Sequence, residues 1–465
     1  MEEEYNSYFL VRDTDMIWGP VSLLVLFIFV YNKRKKYRDT ELFRYFMPAF
    51  WWRMFFAVVF ALISQYYFKF ADTNHYYQGV LDMHKAVVDD YTFLNDIYLN
   101  LKLTSDNRII NYFLYDVLGI THMYMYEVPN YFVPRFALPF SLMFGKSYIA
   151  ISFCMSVYAF GGCWRLFKLF YILYPHLHKK MAIATLFLPS VLFWGGGLMK
   201  DTICLGSLGF FLYAAYNVFI RNHKRWISVL IMLATGYLMY YIKAYILICV
   251  MPAFLMWIFL RYRVRIQDKT LRQVSTGLFT FAAVFAGFFL VQSFTASEAL
   301  SRYSTEKLVT SVQAQQNSFN NSESAGGGSN FTMPKLESDS PLGALQLFPL
   351  GVINTFFRPF PWDVRSPFMI FSFLEAVGFL VITIMCFRRV GFGRTFNIMW
   401  SDPVLVFCFV FAIMFGGLVG LSTTNFGALV RYKIPCLPFY CITFFVIMDK
   451  SGLFNRNVIF SKKFF

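Results

Sequence analysis

Ionisable side chains stand beside long apolar runs at several distant points of this chain. Asp72 and His75 follow the second apolar run, and Lys200 and Asp201 separate two later runs. A carboxylate can take a proton from an attacking hydroxyl, and lysine or arginine can hold phosphate oxygens. The further candidates at or inside the ends of apolar runs are Lys243, Arg358, Asp363, Glu375, Arg431 and Lys433. This mixture of cations and carboxylates predicts a site for a substrate that carries phosphate and hydroxyl groups.

Several candidates also have a purely structural explanation. Asp72 could cap a helix, and Lys200 and Asp201 could form a local ion pair in a turn. Arg431 and Lys433 could extend towards lipid headgroups and keep their stems in the apolar layer. These alternatives stay open at the level of the sequence.

Two further candidates differ in how easily a structural role explains them. Arg358 could pair with Asp363 only to stiffen the proline-rich turn at 357–363. Glu375 lies inside an apolar run, where a charge costs about 2.5–3.5 kcal/mol on insertion scales. Such a carboxylate is expected to face a partner or a cavity.

The composition predicts the environment in which these residues act. Hydrophobic residues make up 58% of the 465 residues and charged residues only 15%, which excludes an ordinary soluble domain. Continuous runs of about 18 or more apolar residues predict an all-α polytopic membrane protein and not a β-barrel, whose strands alternate. The net charge of +16 lies mainly in short loops between runs, which is typical of topology determinants beside anionic lipid. Nucleic acid is therefore not an expected partner.

Apolar runs and loop charges together predict about eleven spans, with the N-terminus outside and the C-terminus inside. The predicted spans are 16–31, 54–68, 148–164, 181–199, 202–220, 226–240, 244–260, 277–294, 369–387, 404–421 and 434–448. We expect a single integral membrane domain over 1–465, with two large extracytoplasmic loops at 69–130 and 295–365. The Ser-, Asn- and Gly-rich centre of the second loop, 313–330, predicts mobility. The piece before the third span is expected to be re-entrant or interfacial, and 342–357 to lie on the outer surface.

Motifs for soluble cofactors and metals are missing from the sequence. The eight cysteines lie in or beside apolar runs without metal-ligand spacing, so we interpret them as small buried hydrophobic residues. No nucleotide-binding signature is present, so an enzyme of this kind needs a donor delivered by the membrane. The sequence predicts no cofactor and no metal site, although a requirement for a divalent metal ion stays open.

Four short motifs follow one another in order along most of the chain. They are ADTNHYY at 71–77, LPSVLFW at 188–194 followed by Lys200-Asp201, FRPFPW at 357–362 and LVRYKIP at 429–435. Together they resemble the motifs of GT-C-type integral membrane glycosyltransferases and their bacterial relatives.

The resemblance implies a polyprenyl-phosphate-linked sugar donor and transfer at the extracytoplasmic face, with inversion at the anomeric carbon. Asp72 would be the catalytic base, and Lys200, Lys243, Arg358 and Arg431 would hold the phosphate. The acceptor would be a glycan, a lipid or a protein. The location would be the bacterial inner (cytoplasmic) membrane, where the protein would serve the cell envelope as a multi-pass enzyme.

Two other interpretations remain open. A glycan polymerase of the O-antigen-polymerase type would share the topology and the arginine-rich outer face. A non-enzymatic subunit of a glycan transport or protein secretion complex would also use a basic cavity, and would have other membrane subunits as partners.

Overall fold

The computed structural model describes residues 9–68, 71–114, 119–263, 267–268, 270, 331 and 341–454. Every regular element in these ranges is a helix, which confirms the predicted all-α class. The predicted span at 277–294 and the predicted mobile segment at 313–330 lie outside the described residues.

The chain divides into two compact units, Met1–Lys243 and Ala244–Phe465. The helices of the first unit are α1 (Asp13–Arg34), α2 (Phe43–Ile63), α3 (Asp72–Asp89), α4 (Phe93–Leu99), α5 (Ile110–Leu114), α6 (Thr121–Met125), α7 (Val128–Met143), α8 (Tyr148–Leu173), α9 (His178–Leu186), α10 (Pro189–Trp194) and α11 (Lys200–Tyr216). Helix α12 (Arg225–Tyr262) begins in the first unit and continues into the second. Its backbone leaves helical geometry at Lys243 (φ −148°, ψ 72°), the residue predicted to separate two spans.

The second unit has its own set of helices. After α12 they are α13 (Pro341–Phe357), α14 (Pro367–Val390), α15 (Phe392–Ser401), α16 (Pro403–Ser422), α17 (Phe426–Tyr432) and α18 (Leu437–Lys450). The predicted turn at 357–363 forms a short 3₁₀ segment, Pro361–Asp363, because two prolines prevent a continuous α-helix there.

Seven helical segments in the described ranges are long and apolar enough to cross a membrane. They are Asp13–Tyr37, Phe43–Phe68, Tyr148–Leu173, Lys200–Arg221, Arg225–Tyr262, Pro367–Val390 and Pro403–Ser422. Helices α17 and α18 make an eighth if they count as one span bent by 63°. The chain is therefore a multi-pass membrane protein, whereas the total of eleven spans and the orientation stay predictions.

Helices α8 and α11 run parallel and pack closely. Tyr158 contacts Ser207, and further along both helices Lys168 lies over Tyr213. A Cβ atom on Gly162 would lie 2.1 Å from the carbonyl oxygen of Gly206, so this approach needs glycine. Because the two helices run parallel, the segment between them has to carry the chain back.

The returning segment is not one helix, although the sequence predicts a span at 181–199. It consists of α9, α10 and the run Gly195–Gly197. Leu188 is extended, as expected before a proline, and the glycine run ends α10 before α11 begins. Proline and glycine thus divide the predicted span into short pieces.

In the described part of the segment predicted as the first outer loop, 69–130, four helices precede the start of α7, and α3 is mostly buried despite its polar sequence. Two of its buried polar side chains find partners within the helix and on α7. The Gln78 amide donates to Asp82 at 2.8 Å, and His84 Nδ1 lies 3.1 Å from Ser141 Oγ. Polar pairing, and not an apolar stripe, lets this helix enter the interior.

Candidate functional site

Asp72 is the first residue of α3 and follows directly on the second long helix. The residue before it, Ala71, is extended, and its N–H donates to the side-chain oxygen of Asn74 at 3.1 Å. Ala71 is therefore the residue that caps α3, and Asn74 supplies the side-chain hydrogen bond at the helix start. The half-buried Asp72 carboxyl group stands in the first turn, where the helix dipole favours negative charge.

The start of α3 is joined to the start of α11. The Thr73 hydroxyl donates to the carbonyl oxygen of Leu198 at 3.1 Å and lies 2.8 Å from the Tyr148 hydroxyl. Leu198 stands two residues before Lys200, the first residue of α11. The structure therefore links the helix start that bears Asp72 to the one that bears Lys200.

Side chains from neighbouring helices hold the rest of the linker between α10 and α11. Ser156 of α8 donates to the carbonyl oxygen of Gly196 at 2.6 Å, and Thr202 of α11 donates to that of Gly197 at 2.6 Å. A Cβ atom at Gly197 would lie 2.2 Å from the Phe60 ring, so no larger residue fits there. The backbone that leads into Lys200 is thus fixed without regular secondary structure.

Arg53 of α2 stabilises the same segment from its other end. Its side chain is almost fully buried, and Nη1 donates to the carbonyl oxygen of Val191 at 2.8 Å. Nη2 lies 3.4 Å from the Cys163 sulfur. Arg53 is not among the predicted site residues, because it lies one residue before the predicted span at 54–68. An arginine flanked by long aromatic and apolar runs was the signal available.

Asp201 and Lys243 form a buried ion pair in the first unit. Both side chains are almost completely excluded from solvent, at 1% and 6% exposure. The pair joins the first turn of α11 to the non-helical residue in α12. Two charges withdrawn from water together keep each other satisfied, so removing either one leaves an uncompensated buried charge.

His75 lies one turn into α3 and is buried. Its ring stacks on Tyr124, with ring centroids 4.7 Å apart and planes inclined by 26°. Further along the helix, burial and the nearby charge of Lys146 lower the pKa of His84 from 6.5 to about 4. His84 is therefore neutral at pH 7.

In the second unit, Arg358 forms the centre of an aromatic cluster. Its guanidinium carbon lies 4.6 Å from the ring centroid of Phe331, 5.5 Å from that of Phe360 and 5.9 Å from that of Phe426. Nε lies 3.3 Å from Asp363 Oδ2, so the pairing suggested by the sequence is present. No acceptor among the described residues lies within hydrogen-bonding distance of its terminal nitrogens. Cation–π contacts hold the group in place and leave these donors available to an oxyanion.

Lys433 lies at the break between α17 and α18 and is completely buried. Its Nζ donates to the backbone carbonyl of Arg358 at 3.4 Å, and its charge interacts with Glu375 of α14. Full burial is incompatible with the alternative in which Lys433 extends to lipid headgroups. Arg431 is half-buried, with its guanidinium carbon 5.6 Å from the Tyr432 ring centroid.

Eight of the ten predicted site residues, all except His75 and Arg431, thus form one group in each unit. The first group contains Asp72, Lys200, Asp201 and Lys243, and the second contains Arg358, Asp363, Glu375 and Lys433. The expected convergence of all of them at one site stays a prediction. Within the described ranges, no three His, Cys, Asp or Glu side chains are arranged to hold a metal ion.

Comparison with known proteins adds no family to this description. No protein-family model matches the chain, and no curated protein or solved structure matches it.

Proposed function

We propose that this protein is a membrane glycosyltransferase that takes its sugar from a polyprenyl-phosphate-linked donor at the extracytoplasmic face. The observation that carries the proposal is the contact between Thr73 and Leu198. It joins a helix start with a carboxylate, Asp72, to a helix start with a cation, Lys200. Glycosyl transfer from a lipid phosphate needs these two functions, a base for the acceptor and a positive group for the leaving phosphate.

In this proposal Asp72 takes the proton from the acceptor hydroxyl as that oxygen attacks the anomeric carbon. The phosphate leaves towards the start of α11, where the helix dipole and the Lys200 ammonium favour an anion. Lys200 is the candidate for direct phosphate contact because it is the first residue of α11, whereas Lys243 is buried and paired with Asp201. The role of the Asp201–Lys243 pair is to fix the first turn of α11.

In this proposal Arg358 and Lys433 are the positive groups that the second unit supplies for phosphate oxygens. The terminal nitrogens of Arg358 can bind two phosphate oxygens, and the aromatic rings around it restrict its orientation. Glu375 lies near enough for its charge to interact with that of Lys433, and in this proposal it balances the buried ammonium group.

The distribution of charge along the first unit supports the proposed side of the membrane. Helices α8 and α11 both start near the Asp72 group, and their opposite ends carry Arg165, Lys168 and Arg221. Basic residues are retained on the cytoplasmic side of a membrane. The first group of site residues, which contains Asp72, would then face away from the cytoplasm. We propose the bacterial inner membrane as the location.

The test is a transfer assay with the full-length protein in lipid nanodiscs, a polyprenyl-phosphate-linked sugar and an acceptor glycan. Asp72→Asn is expected to lower turnover by about 10²–10⁴-fold while donor binding persists, because the variant lacks the base. Asp89→Asn, an exposed carboxylate at the other end of α3, is the matched control and should retain activity.

Full turnover by Asp72→Asn would overturn the proposed mechanism. If that variant also supports normal glycan formation in cells and the protein co-purifies with other membrane subunits, the non-enzymatic alternative takes its place.

A further inference from the structure

Arg165 and Lys168 lie one turn apart on α8, at the end of the first unit opposite Asp72. Both side chains are half-buried. The Arg165 guanidinium carbon is 4.1 Å from the Phe210 ring centroid, and Lys168 Nζ is 4.8 Å from that of Tyr213 and 5.7 Å from that of Tyr37. These aromatic faces orient two cations towards the same region between α8, α11 and the end of α1.

The charge of these two cations is not balanced within the part of the chain that the structure describes. Arg165 donates only to the carbonyl oxygen of Gly161, at 3.3 Å, and neither cation has a carboxylate within ion-pair distance there. By contrast, the exposed Arg44 pairs with Glu41. Two half-buried cations side by side repel each other, and a bound anion would remove that repulsion.

Two tyrosine hydroxyl groups add hydrogen-bond donors beside the two cations. The phenol groups of Tyr37 and Tyr213 lie within electrostatic range of Arg165. Neither hydroxyl has a hydrogen-bond partner among the described residues. Two cations and two hydroxyl donors match the oxygens of a phosphodiester.

We propose that Arg165, Lys168, Tyr37 and Tyr213 bind the phosphodiester headgroup of an anionic membrane phospholipid. A lipid fits better than a soluble phosphate because the site lies at the end of spanning helices and has exposed apolar side chains beside it. Ile172 follows Lys168 by one turn, and Phe219 follows Tyr213 along the same segment; both are exposed at this end of the helices, as expected for side chains in the interfacial layer. The bound lipid would belong to the leaflet opposite the proposed transfer site.

The test titrates phosphatidylglycerol into detergent-solubilised full-length protein. The double variant with Arg165→Gln and Lys168→Gln should bind phosphatidylglycerol about thirtyfold more weakly. This is the effect expected from removing two cations near a lipid surface. Combining Arg388→Gln with Arg389→Gln removes the same charge from exposed positions on α14 and should leave binding nearly unchanged. Combining Tyr37→Phe with Tyr213→Phe keeps the packing, removes only the hydroxyls and should weaken binding several-fold.

The controls separate a lipid site from general attraction of anions. Phosphatidylcholine and inorganic phosphate should not compete with phosphatidylglycerol at equal concentration. Equal losses in the α8 and α14 double variants would overturn the proposal, since the attraction would then be non-specific. Competition by inorganic phosphate would overturn the assignment to a lipid, and unchanged binding in both the α8 and the tyrosine variants would exclude this site.

Discussion

The hydroxyl of Thr73 donates to the carbonyl oxygen of Leu198 at 3.1 Å, across 125 positions of the sequence. Because each partner lies within two residues of a predicted site residue, this hydrogen bond ties together the helix starts that bear Asp72 and Lys200. Neither partner belongs to a recognisable pattern. A threonine hydroxyl and a backbone carbonyl in a glycine-rich linker carry no signal in a single sequence.

Replacing Thr73 with valine keeps the shape of the side chain and removes this hydrogen bond. We expect a loss of about 1–3 kcal/mol in the free energy of unfolding, because the Leu198 carbonyl and the Tyr148 hydroxyl lose a buried partner. Donor affinity should fall more than in Thr73→Ser, which keeps the hydroxyl. Denaturation in detergent and donor titration measure the two effects. Equal behaviour of the valine and serine variants would contradict the positioning role.

Replacing Arg53 with glutamine should loosen the segment that precedes α11. The loss of a charged donor to the Val191 carbonyl is expected to cost about 2–3 kcal/mol. Hydrogen exchange of the full-length protein should increase in the peptide that covers 187–203. Arg44→Gln, which removes an exposed arginine from the same helix, should leave that exchange unchanged. Faster exchange spread evenly over the first unit would show a general loss of stability and no local role.

The buried pair of Asp201 and Lys243 should respond to single and double substitution in opposite ways. Asp201→Asn alone leaves the lysine charge buried without its partner and should destabilise the protein by about 3–5 kcal/mol. Combining it with Lys243→Met should recover most of that loss, because no charge is then left in the interior. A double-mutant cycle on the free energy of unfolding gives the coupling. Additive effects would show that the two side chains do not depend on each other.

The neutral His84 makes the stability depend on pH. Its folded-state pKa of about 4 is below the usual 6.5, so the unfolded chain binds the proton more readily. The stability contributed is complete above pH 6.5 and decreases as the pH falls towards 4, by about 3 kcal/mol in total. His84→Gln should remove this part of the dependence, as measured by denaturation across that range, with exposed His176→Gln as the control. Identical pH profiles for the wild type and His84→Gln would contradict the assignment.

Close helix packing in the second unit gives a further prediction. A Cβ atom at Gly420 of α16 would lie 1.9 Å from the carbonyl oxygen of Gly351 in α13, whereas one at Gly378 would meet nothing within 4 Å. Gly420→Ala should therefore destabilise the protein by about 1–3 kcal/mol, and Gly378→Ala should not. Thermal unfolding of the two variants in the same detergent makes the comparison. A similar effect of both would indicate that helix propensity, and not packing, determines the result.

The sequence predicts the continuous spans well, because an apolar run such as that of α16 has no other stable structure in a membrane. The sequence predicts the structure less well where polar helices are buried or where the backbone breaks a helix. The segment over 69–130 has no long apolar run, and α3 is buried because pairs such as Gln78 and Asp82 satisfy each other. Hydropathy also gives no sign that Asp201 pairs with Lys243, since that partner lies 42 positions away.

For the candidate residues of the second unit, the sequence likewise predicts local contacts but not contacts between distant segments. The proline and charge pattern predicts a turn around Arg358 and its pairing with Asp363. The aromatic surroundings of Arg358 come from Phe331 and Phe426, which are distant in sequence and belong to no motif. The burial of Lys433 follows from the bend between α17 and α18, which a continuous apolar run does not reveal.

The broken segment between α8 and α11 also constrains how the protein is made. With nine residues in α9 and six in α10, neither piece has the length by which a nascent chain is recognised and released sideways into lipid. Its carbonyl groups are satisfied by Arg53, Ser156, Thr202 and Thr73, which come from four other helices. Arg53, Thr73 and Ser156 precede the segment in the sequence, and Thr202 follows it within three residues. The helices that carry three of its four partners are therefore synthesised first, and the segment can pack against them as it is made.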